Sequence, residues 1–97
     1  MLFYVGWKPR AGQGPEAGEK GLEVFSRWKP PQGLEFKGMW GRADGGGFCI
    51  CEAVSAEAIF EATAPWSGVF LDYDIAPIVD IEKAVELQKK AIAFRKG

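Results

Sequence analysis

Apolar residues run together in short blocks along this chain, and the spacing inside each block predicts an element. Leu2 to Trp7 is short, aromatic and β-branched, and apolar at successive positions. That is the signature of a strand buried on both faces. Lys8 to Gly14 is rich in turn formers. A helix is expected from Pro15, where the missing N–H costs nothing, to about Trp28. Leu22, Phe25 and Trp28 form its apolar stripe, Gly18 and Gly21 weaken it, and Pro30, Pro31 and Gly33 end it. Leu34 to Arg42 reads as a second strand. Strict alternation puts Leu34, Phe36, Gly38 and Trp40 on one side and Glu35, Lys37 and Met39 on the other. Asp44-Gly45-Gly46-Gly47 predicts a tight hairpin, because glycine reaches the positive φ such turns need.

Phe48 to Ala53 is the third strand. Ser55 suits the N-cap of a short helix that buries Ile59 and Phe60 and stops at Pro65. Val69 to Val79 is a fourth extended stretch, with Pro77 pointing to an edge or a bulge. The last helix is the clearest element. Asp80 caps it, and Ile81, Ala84, Val85, Leu87, Ala91, Ile92 and Phe94 give it a broad apolar face. Lys89, Lys90, Arg95 and Lys96 complement its C-terminal dipole. The order β-α-β-β-α-β-α, with a hairpin in the middle, predicts one α+β domain over residues 1–97. Its economical arrangement is a ferredoxin-like βαββαβ sheet with an extra C-terminal helix.

The first, third and fourth strands are apolar on both sides, whereas a sheet with one wet face would alternate. Two helices cover one face, so a second cover is required. The last helix could supply it, but a homodimer is the simpler expectation for so short a chain. Composition supports this. The 97 residues are 47% hydrophobic and 26% charged, an ordinary globular balance. A domain of this size buries only about 60–65% of its unfolded surface.

Twelve basic and thirteen acidic residues, net −1, are spread without blocks of one sign. That argues against nucleic acid as a partner. No apolar run approaches the roughly 18–20 residues of a membrane span. Residues Met1–Trp7 lack the basic leader of a signal peptide, so the cytoplasm is expected, with Cys49 and Cys51 reduced. The sequence has no histidine. Ser-His-Asp and Cys-His nucleophile systems, histidine-held zinc and histidine-ligated haem are therefore excluded. No cofactor and no metal are expected.

Several patterns invite chemistry. Gly12-Gln13-Gly14-Pro15-Glu16-Ala17 matches a loose GxGxxA fingerprint. Pro15 removes an N–H that a pyrophosphate would need and Glu16 repels it, so a loop is the better reading. Gly45 to Cys51 faintly resembles the RNA-recognition octapeptide, but of its stacking positions only Phe48 is aromatic. Cys49 and Cys51 share one strand face at a spacing too long for an easy disulfide, and read as buried thiols. Asp72 and Asp74 read as a solvated face. Tyr4, Trp7, Trp40, Trp66 and Tyr73 are core and interface aromatics or, alternatively, the walls of a flat apolar pocket. With Arg42 paired to Gly47, Phe36, Gly38, Trp40, Arg42, Cys49 and Cys51 would share one face. Glu52 would lie on the other with Phe48 and Ile50. A carboxylate among apolar groups can act as acid or base.

The blocks Leu2-Phe3-Tyr4-Val5, Gly38 to Arg42, Asp44 to Phe48 with Glu52, Pro65-Trp66-Ser67, Asp72-Tyr73 and Pro77-Ile78-Val79 carry a resemblance in their order and spacing. The chain resembles a bacterial family of about this length known only as a domain of unknown function, within the dimeric α/β-barrel, ferredoxin-like superfamily. That resemblance implies two sheets packed across a two-fold axis, with pockets between sheet and helices. Superfamily members include cofactor-independent monooxygenases, isomerases and haem enzymes. The family has no settled activity, so no catalytic residue carries over. Its relatives often hold histidine after the second-strand Trp, where this chain has Gly41.

The expectation is a small-molecule-binding or cofactor-independent enzymatic homodimer. Tyr4, Trp40, Trp66 and Arg42 would bind a small apolar or aromatic ligand, and Glu52 and Arg42 are the catalytic candidates. The alternative is a non-catalytic protein-interaction domain whose aromatics pack the dimer or a partner.

Overall fold

A computed structural model describes residues 1–97. The elements are β1 (Leu2–Pro9), α1 (Pro15–Arg27), β2 (Leu34–Gly41), β3 (Gly47–Ala53), α2 (Ala56–Thr63), β4 (Leu71–Pro77) and α3 (Ile81–Lys96). Local chemistry sets their ends. Ser55 accepts a hydrogen bond from the Ala58 amide at 3.2 Å and caps α2. Asp80 accepts from the Glu82 amide at 3.1 Å and caps α3. In the hairpin, Gly45 sits at φ +92°, where a side chain would be strained. Val69 and Phe70, expected in β4, instead turn back, their amides donating to the Trp66 carbonyl.

The strands form one antiparallel sheet in the order β2-β3-β1-β4. This small α+β architecture is consistent with the ferredoxin-like arrangement. Pro77 closes an edge strand, where its missing N–H is harmless. The register corrects the strict alternation of the second strand. Phe36 faces Cys51, but Gly38 faces Ile50, so Lys37 is an extra residue, a β-bulge. Because side chains alternate with period two, one extra residue exchanges the faces beyond it. Trp40 consequently pairs with Phe48 rather than siding with Cys49, and Gly41, not Arg42, faces Gly47.

The core lies between the sheet and α2. Phe3, Val5, Cys49, Cys51 and Ala53 point to that side and meet Ala58 and Ile59. Only 12 of 97 residues are buried, none of them charged. Neither α1 nor α3 buries a single residue. The expected covering of one face by two packed helices is therefore half realised, because α1 stands off the sheet. The last helix does not fold back over the second face. It extends from the body, which gives a radius of gyration of 16.8 Å and a long axis of 57 Å. A compact chain of this length would have about 12–13 Å.

Candidate functional site

The gap between α1 and the sheet is a cavity of about 730 Å³, lined by 29 residues of which 18 are hydrophobic. Its floor is the helix-side face of the sheet, where Val5, Trp7, Cys49 and Tyr73 point. Its roof is the apolar stripe of α1. Leu22 is 72% exposed and Phe25 about half exposed although both point toward the body's apolar side.

The roof is tied down at both ends and at its middle. At the C-terminal end, Trp28 and Trp66 meet edge-on with centroids 5.6 Å apart, Phe25 lies 6.0 Å from Trp28, and Phe36 lies 6.1 Å from it. The Trp66 indole N–H also donates to the Gly21 carbonyl at 3.1 Å. At the other end, the Gln13 side chain donates to the Val69 carbonyl, and Arg10 donates to the Gly68 carbonyl and pairs with Asp72. Gly21 faces Trp66 and Phe70 in the lining. A Cβ there would meet Trp66 and Phe70 only at ordinary contact distance, 3.9–4.0 Å.

The ionisable groups of the floor are neutral. Burial pushes the Cys49 thiol up to about 12, with the neighbouring Cys51 adding to the effect. Burial also raises Cys51. Tyr73 is pushed up to about 12, chiefly by burial. Both cysteines are free. No three Cys, Asp or Glu side chains converge as metal ligands would.

The structure separates the residues singled out from sequence. Trp66 is 7% exposed and forms an end wall of the cavity. Trp40 borders the rim, but its ring lies on the opposite, open face, stacked on Phe48 at 5.1 Å. Tyr4 stacks on the other side of Phe48 at 5.8 Å, also outside the cavity. One pocket walled by Tyr4, Trp40 and Trp66 is thus not formed within the chain, because the sheet lies between them. Arg42 sits at the hairpin and grips Asp44 through two bonds of 3.1 and 2.8 Å. The Gly46 amide and this guanidinium hold the Asp44 carboxyl below its usual range. Glu52, at the far end of β3, pairs with the Met1 amino group on the open face. Five residues of strand, roughly 16 Å at about 3.3 Å per residue, divide Glu52 from the hairpin, so the two candidates do not converge. Leu22 and Phe25 serve as a roof and Trp7 and Tyr73 as neighbours, roles that the sequence alone does not assign. Their rings are 6.5 Å apart across β1 and β4, a pairing that no local pattern encodes.

The fold and cavity define a small α+β sheet protein with an apolar chamber between its sheet and a standing-off helix. The chain belongs to the family described as Domain of unknown function (DUF3303), whose model matches residues 1–92. Neither a curated protein nor a solved structure matches it. No helix is long and apolar enough to cross a membrane.

Proposed function

We propose that the protein is a small-molecule-binding homodimer of the dimeric α/β-barrel kind, with one ligand chamber per copy beneath α1. The cavity carries this reading. A space of about 730 Å³ is within the range of ligand pockets, and a mostly apolar lining with few polar groups is their usual character. Trp66 supplies one wall and Trp40 part of the rim. The catalytic candidates Glu52 and Arg42 lie outside the chamber, so binding is favoured over cofactor-independent turnover.

Two uncovered surfaces support pairing with a second copy. The open sheet face carries the stacked row Tyr4, Phe48 and Trp40. The apolar side of α3 is bare, with Phe94 87% exposed. A lone helix of sixteen residues is marginal in water and gains stability from a packed apolar face. The charges are complementary as well. Five basic and two acidic residues give α3 +3, which leaves −4 on the rest of a chain whose total is −1. The carboxylates Glu35, Glu52, Asp72 and Asp74 lie on the open-face side of the sheet. They would repel the phosphates of a nucleic acid stacked on the aromatic row. Free buried thiols are what a reducing cytoplasm maintains, and we read the protein as cytoplasmic.

Native mass spectrometry of the purified chain tests the reading. A mass of two chains plus a retained small molecule is expected. A single-chain mass would remove the dimer. A dimer that takes up no apolar small molecule would favour the protein-interaction alternative.

A further inference from the structure

The chamber's polar groups are few, and most are spoken for. Arg10 and Gln13 are bonded to backbone carbonyls, Thr63 donates to the Ile59 carbonyl at 3.1 Å, and the Trp66 N–H is held by Gly21. Two neighbours on the floor are not. The Tyr73 hydroxyl and the Trp7 indole N–H bond to no protein group and neither is sealed from solvent, and their rings adjoin at 6.5 Å. Trp7 is fixed against Gly47, where a Cβ would come 2.5 Å from its ring.

We infer that the ligand is an uncharged, flat, largely apolar molecule bearing one hydrogen-bond acceptor such as a carbonyl, seated beneath α1 with that acceptor against the Tyr73 hydroxyl. This deepens the chamber reading and rests on it. Three observations support it. The walls are largely aromatic, which suits a flat ring. The one charged side chain in the lining, Arg10, is already engaged with Asp72 and the Gly68 carbonyl, and moving an unpaired charge into such a site is costly. The floor groups also stay neutral near pH 7, so they offer hydrogen bonds without charge.

A matched series on one ring system tests this: naphthalene, 2-acetylnaphthalene and 2-naphthoate, titrated at pH 7 by NMR of the full chain. The ketone is expected to bind about tenfold or more tighter than the carboxylate, given the desolvation cost of a charge. Tyr73→Phe should weaken the ketone about three- to tenfold, the worth of one hydrogen bond, and leave naphthalene unchanged. Because the Tyr73 hydroxyl has no protein partner, that variant keeps the fold. Gly21→Leu, which projects into the chamber, should weaken all three. Carboxylate binding as tight as the ketone, or a ketone indifferent to Tyr73→Phe, would overturn the ligand class while leaving the chamber in place. No binding by any of the three, or binding untouched by Gly21→Leu in a folded protein, would overturn the chamber reading itself.

Discussion

The indole N–H of Trp66 reaches across 45 residues of sequence to the Gly21 carbonyl, at 3.1 Å, and fastens the middle of α1 to the connection between α2 and β4. An aromatic side chain with a polar tip suits this junction, since the ring packs against Phe25 and Trp28 while the N–H is satisfied. Trp66→Phe keeps most of the ring and removes the bond. We expect a loss of about 1 kcal/mol, with the amides of α1 exchanging faster while those of β1 and β3 hold. Uniform acceleration across the sheet would show that the junction supports the whole fold instead.

On the open face, Trp40 lies over Gly38 so closely that a Cβ there would come 2.3 Å from the ring edge. Gly38→Ala should therefore swing Trp40 off Phe48 without breaking the ladder, because the ring is the movable partner. The Trp40 indole resonance is expected to shift while the β3 amides stay in place. If the open face is the dimer contact, the same variant weakens association, read by sedimentation.

The buried thiol of Cys49 predicts an alkaline instability. Its pKa rises from 9.0 to about 12 on folding, so the folded chain holds the proton more tightly than the unfolded one. The resulting stability is complete below pH 9 and is lost as the pH rises toward 12. Tyr73, raised from 10.0 to about 12, adds to the loss between pH 10 and 12. Denaturant midpoints should fall through this window, and Cys49→Ala should shrink the part that begins near pH 9, with the buried Cys51 thiol keeping some of it. A midpoint flat to pH 11 would contradict both shifts.

Asp80 holds the first turn of α3 through the Glu82 amide. Asp80→Ala should cost about 1 kcal/mol of local helix stability and fray α3, visible as reduced far-UV helicity. In a protomer alone this loss should be large, because no other part of the body supports α3. A helix content that survives the substitution at high concentration and falls on dilution would show that a second copy supports it.

The sequence by itself determined every element whose signal is local. Ser55 and Asp80 start their helices, Pro65 and the Asp44-Gly45 pair mark turns, and Pro77 marks an edge. Each of these works through bonds or φ limits within a few residues. The order of elements also narrowed the topology to a four-stranded antiparallel sheet with helices. What tertiary structure decided is which residues meet. The bulge at Lys37 carried Trp40 to the open face, away from Cys49 and Trp66, because the period of two turns one extra residue into a change of side. The cavity exists because α1 is tied to the body at a few points, Gly21 among them, rather than packed along its length, although Leu22 and Phe25 have the spacing of core residues. Periodicity states that a face is apolar, while the distance to whatever covers it depends on ties such as Trp66 to Gly21 that join segments remote in the chain.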